Sequence, residues 1–93
     1  MKTLSIKTFM TDSRRPTWLI ELLWQVNTYC PKENIDNPSE VFSWITSTLR
    51  EVRYVKRNAE YKAIDCVRVE ETTNTLTLFT LYKDKPLVEF RID

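Results

Sequence analysis

Leu4, Ile6 and Met10 alternate with Ser5 and Lys7 near the start of the chain. A period of two is that of a strand with one face buried, so residues 3–10 are predicted to form a first strand. Thr11-Asp12-Ser13-Arg14-Arg15 breaks the alternation, and Pro16 suits a first helical position, where a backbone N–H would be unpaired anyway. Over residues 16–29 the period changes. At 100° per residue Trp18, Leu19, Leu22, Leu23, Val26 and Tyr29 fall in one broad apolar stripe, whereas Ile20 and Trp24 sit four apart on the opposite side with Asn27. This first helix is apolar on two faces.

Cys30-Pro31 ends that helix, and residues 32–36 read as a polar connection. Asn37-Pro38-Ser39-Glu40 is a helix start: an asparagine able to cap, a proline in the first turn, and an acid three residues after the cap. The second helix is predicted to run to about Asn58, with Val41, Ile45, Thr48, Leu49, Val52, Val55 and Ala59 on its core face and Phe42 and Trp44 flanking it. From Ala63 onward β-branched and aromatic residues dominate. Residues 63–71, 75–82 and 86–92 are predicted as three strands joined by short turns, which implies antiparallel hairpins. The last strand alternates, with Val88, Phe90 and Ile92 inward and Glu89 and Arg91 outward. The middle one has Leu76 and Leu78 on one face but Phe79 and Leu81 on the other, as a central or bulged strand would. The expected fold is an α+β domain spanning residues 1–93 in the order β-α-α-β-β-β, with two helices packed on one face of an antiparallel sheet.

Composition removes whole classes of chemistry. The 93 residues include no glycine and no histidine, where average usage would supply roughly six or seven glycines. Without glycine there is no phosphate-cradling P-loop, dinucleotide fingerprint or G-x-S-x-G nucleophile elbow, since each needs backbone angles or close approaches that glycine alone allows cheaply. Without histidine there is no Ser-His or Cys-His pair, and two cysteines cannot complete a structural zinc site. Neither a metal nor a cofactor is expected. Asn74 and Asp84 are the residues expected to take left-handed turn angles in place of glycine. Cys30 and Cys66 are too few for a disulfide framework and read as reduced, mostly buried small hydrophobes. The amino terminus lacks the continuous apolar stretch of a signal peptide, and no run approaches the roughly 20 apolar residues of a membrane span. A cytoplasmic location follows as the expectation.

Fourteen Lys+Arg against thirteen Asp+Glu give a net charge of +1, too little for a global attraction to nucleic acid. That total conceals a local cluster. Arg50, Arg53 and Arg57 of the second helix lie within about 60° of arc, with Tyr54 at one edge and Lys56 at the other. Guanidinium grips carboxylate and phosphate alike through paired hydrogen bonds, so this face can meet an acidic protein surface or a nucleic-acid backbone; the alternative is a solvated helix end. Ile20 and Trp24 form a second candidate surface, for a partner or a twofold dimer seam, unless a loop covers them. Arg14-Arg15 could extend the basic surface. Glu60-Tyr61-Lys62 matches part of a metal-nuclease pattern, but Asp36 and Asp65 are poorly spaced to complete it. The expected function is therefore non-enzymatic: an inhibitor or adaptor that docks on an acidic macromolecular surface and acts by occlusion. That character is shared by small inhibitor, immunity and phage-encoded anti-host proteins. The competing expectation is a nucleic-acid-binding regulator using the same arginines.

Overall fold

The computed structural model describes residues 2–10, 15–55, 67–80 and 85–93, with the side chains of residues 53–55, 67 and 80 left aside. The elements are β1 (Leu4–Thr8), α1 (Thr17–Tyr29), α2 (Pro38–Val55), β2 (Val67–Glu71), β3 (Thr75–Thr80) and β4 (Pro86–Ile92). The α+β class and the β-α-α-β-β-β order are those expected from the sequence pattern. Residues 56–58, 63–66 and 81–82, assigned above to element ends, lie outside the described residues, as does Asp84. Pro16 is the cap of α1, in extended conformation, and helical geometry begins one residue later at Thr17.

All strand pairs are antiparallel, in the order β1-β4-β3-β2. The first and last strands are therefore neighbours, and beside them Thr3 and Asp93 exchange backbone hydrogen bonds of 2.8 and 3.1 Å. One face of the sheet carries Leu4, Leu76, Leu78, Val88, Phe90 and Ile92, all buried in the cluster that includes both helices. Against it lie Trp18, Leu19, Leu22, Leu23 and Val26 of α1 and Val41, Phe42, Ile45, Leu49 and Val52 of α2. Phe42 is fully buried at the centre, a correction to its expected flanking place, while Trp44 is only partly buried against the core. Thr48, the one buried polar residue among those described, donates from Oγ1 to the Trp44 carbonyl at 2.9 Å, which pairs its hydroxyl. The opposite face is polar and self-paired. Arg68 forms an ion pair with Glu70 and stacks 4.1 Å from the Phe79 ring centroid, and Arg91 donates to Glu89 at 3.2 Å.

β3 is central, as its two-sided pattern implied, and its pairing with β4 shifts register between Leu78 and Phe79. Leu78 faces Val88 but Phe79 faces Pro86, so Leu87 has no residue opposite it on β3. The extra residue makes a bulge, and Leu87 and Val88 are both buried where strict alternation would expose one.

Left-handed geometry falls elsewhere than expected. The one described residue with positive φ is Asn34 (φ 55°), and Asn74 is not among them. At residues 72–75 the Thr72 hydroxyl accepts from the Thr75 N–H at 3.0 Å, and the Thr72 N–H donates to the Thr75 carbonyl at 2.8 Å. A side chain thus closes this reversal, and left-handed angles are not needed. Asn34 instead turns the connection between the helices so that Ile35 is buried. The Ile35 N–H donates to the Lys2 carbonyl at 3.1 Å, and the Leu4 N–H to the Lys32 carbonyl at 2.8 Å. What read as a polar connection is a strap along the outer edge of β1.

The cap of α2 is as read from the sequence: the Ser39 N–H donates to Asn37 Oδ1 at 3.0 Å. Removing it by Asn37→Ala should cost about 1 kcal/mol. Phe42→Ala should cost about 3–5 kcal/mol, because it leaves a cavity at the point where helix and sheet meet. Urea unfolding of the two variants ranks them, and equal losses would contradict this placement of the core.

Candidate interaction surfaces

Helix α1 has the sequence TWLIELLWQVNTY, eight apolar residues in thirteen. A helix resting on one face of a sheet buries a single stripe, and here that stripe is Trp18, Leu19, Leu22, Leu23 and Val26. The remainder points outward. Ile20 is 50% exposed, Trp24 55% and Tyr29 64%. The loop that could have covered Ile20 and Trp24 leaves them open. Tyr29, assigned to the core stripe from its spacing, ends the helix beyond the last buried turn. Its ring meets Trp24 edge-on, centroids 5.8 Å apart at 83°. This geometry is the favourable one for aromatic quadrupoles and holds both rings in one surface.

The surface is nearly free of charge. Glu21 is the only ionisable group of α1 apart from Tyr29. It is half-buried and accepts from Gln25 Nε2 at 3.1 Å. Asn27 turns its amide back to the Leu23 carbonyl at 2.9 Å. Covering the exposed halves of Ile20 and Trp24 would contribute about 1 kcal/mol or more apiece, given the 1.5–3 kcal/mol for burying a whole large apolar side chain. An apolar ridge that an isolated chain leaves wet is what a docking surface requires.

The basic face is described only in part. Arg50 is exposed on α2, and the backbone of Arg53 and Tyr54 continues the helix. Their side chains, and Lys56 and Arg57 entirely, lie outside the described residues. Arg14, Glu60-Tyr61-Lys62, Asp65 and Cys66 lie outside as well. Arg15 is half-buried and donates from Nη2 to Thr8 Oγ1 at 2.8 Å, which ties it to β1.

Among the described residues no group of three His, Cys, Asp or Glu side chains could hold a metal ion, and no helix is long and apolar enough to cross a membrane. A groove of about 350 Å³ runs between the start of α2 and the 72–74 turn, lined by Lys2, Asn37, Ser39, Glu71 and Thr72 among others. Its walls offer hydrogen bonds, but Asn37 is already occupied in capping α2.

Sequence reasoning missed Tyr29 as a surface residue, although its place as the last residue before Cys30-Pro31 was the available signal. It also missed Val69, 40% exposed on β2. No protein-family model, curated protein or solved structure matches this chain.

Cys30 is a buried free thiol, and its burial pushes its pKa above the ordinary 9.0 against a smaller opposite pull from Lys32. The folded state then holds a proton that the unfolded chain releases, so Cys30 takes stability away as pH rises above the unfolded value. Stability should be flat in this contribution below that value and fall above it. Replacing Cys30 with alanine should remove that part of the alkaline slope. Peptide mapping after alkylation should show Cys30 modified at least ~100-fold more slowly in the native protein than in denaturant, since the thiolate is the reacting form. Equal rates would contradict a buried thiol.

Proposed function

We propose that this chain is a non-enzymatic binding protein, an inhibitor or adaptor that seats the outer face of α1 on a macromolecular partner and acts by occluding that partner's surface. The observation that carries this reading is the uncharged ridge of Ile20, Trp24 and Tyr29, half or more exposed on a helix whose opposite stripe is buried in the core. Tryptophan and tyrosine are the side chains most often found at the energetic centre of protein interfaces, because they bury large rigid areas at little entropic cost. Arg50, Arg53 and Arg57, with Tyr54 and Lys56, form the second half of the proposal: a basic face that meets acidic groups of the same partner. The lack of glycine and histidine supports a role without catalysis, since the common nucleophile, general-base and phosphate-cradling devices need them. A cytoplasmic location and a phage or other mobile-element origin belong to the same proposal.

The test is affinity for the partner recovered from the native host, measured by calorimetry on defined variants. Trp24→Ala should weaken binding by at least about 30-fold, the effect of an interface hot spot of 2 kcal/mol or more. Replacing Arg50, Arg53 and Arg57 together with alanine should weaken binding less at high salt than at low salt, because salt screens exposed charges. Two results would overturn the reading: unchanged affinity in both variants, or a nucleic acid as the tight ligand, with log K falling by about 0.9 per phosphate contact per log unit of salt on duplex DNA.

A further inference from the structure

Among the described residues strand β2 ends the sheet, and the alternation of its hydrogen bonds with β3 shows which of its groups face away. The Thr72 N–H bonds to the Thr75 carbonyl, so 72/75 is a hydrogen-bonded pair. Glu70/Thr77 and Arg68/Phe79 are then the next such pairs along the register. The N–H and C=O groups of Val69 and Glu71 therefore point out of the sheet, and among the described residues they have no backbone or side-chain partner. The other edge is partly covered: the Lys32–Ile35 strap bonds the Lys2 carbonyl and the Leu4 N–H. Edge strands are usually guarded by proline, a bulge or charged side chains, lysine above all. β2 (VRVEE) contains no proline or lysine and keeps an unbroken register with β3, so its guard is the charge of Arg68, Glu70 and Glu71, which opposes pairing only where like charges meet. Its middle residue, Val69, leaves 40% of its surface open on the side of the sheet that the helices cover.

We infer that β2 pairs with β2 of a second copy of this chain, antiparallel about a twofold axis at Val69, to make one continuous sheet. Hydrogen bonding allows only registers that match outward-facing residues with one another, and charge selects among them. With the axis at Val69, Val69 faces Val69 of the second copy, Arg68 faces Glu70 and Glu70 faces Arg68. Moving the axis one residue in either direction sets Arg68 against Arg68 or Glu70 against Glu70. Opposite charges directly across a strand pair stabilise it and like charges destabilise it. The strand is thus complementary to itself in one register. An axis perpendicular to the sheet keeps both helical layers on the same side, so this contact leaves the outer faces of both α1 helices free. It is independent of the partner proposed for α1, and either can fail without the other.

The test is sedimentation of the full chain over a concentration series reaching hundreds of micromolar, since one strand-to-strand contact buries less than the ~1,000 Å² of a tight interface. The wild type should move from one chain to two. Glu70→Arg, which sets arginine against arginine, should raise the dissociation constant at least about tenfold, and adding Arg68→Glu should return it close to wild type. Amide exchange on the wild type is a second measurement that needs no variant: the Val69 and Glu71 N–H groups should gain protection as concentration rises. A chain that stays monomeric throughout would overturn the inference. So would a dimer indifferent to Glu70→Arg, or one lost in Trp24→Ala, which would place the seam on α1.

Discussion

Helix α1 has more apolar surface than its place in the fold can bury. The sheet is covered on one face only, and a helix resting there contributes one stripe to the core. Five large side chains of α1 occupy that stripe, and Ile20, Trp24 and Tyr29 are left on the solvent side. The other described residues do not relieve this. The strap from Lys32 to Ile35 is spent on β1, and the polar face of the sheet is occupied by its own ion pairs. A second apolar face on a helix is a cost to an isolated chain, and its presence here is the physical basis for reading α1 as a docking element.

The lack of glycine shapes the backbone in a compatible way. Each reversal has to be made by another device. Asn34 takes the left-handed angle, the Thr72 hydroxyl closes the hairpin between β2 and β3, and proline and asparagine start the helices. These solutions are local and side-chain dependent, and they leave little of the close backbone approach that phosphate and dinucleotide sites require. The same composition that builds the turns thus withholds the common catalytic loops.

Much of this fold was legible in the pattern of residues. The period change from Ile6 to Trp18 and back after Ala63 marked the elements, and Asn37-Pro38 marked the start of α2 to the residue. The two-faced character of α1 was visible from Ile20 and Trp24. What the pattern did not reveal depended on three-dimensional neighbours. Ile35 reads as one apolar residue in a polar stretch until the strap brings it under β1. Leu87 breaks alternation only because β4 bulges against β3, and Phe42 moves from flank to centre once the sheet lies beneath it. Tyr29 lies on the buried arc by angle alone, but at the helix end no core remains for it to enter. Strand order was equally hidden, and with it the outward-facing groups of Val69 and Glu71.

The outer face of α1 is uncovered in the free chain, and tryptophan quenching reads this out residue by residue. The three tryptophans differ in burial: Trp18 is in the core, Trp44 is partly buried and Trp24 is 55% exposed. In a variant with Trp18 and Trp44 replaced by phenylalanine, measured in dilute solution, acrylamide should quench Trp24 readily, with emission at long wavelength. In a variant retaining only Trp18, quenching should be weak and emission blue-shifted. A Trp24 as protected as Trp18 would mean that the chain covers this face itself, and the account of α1 as a docking element would be contradicted.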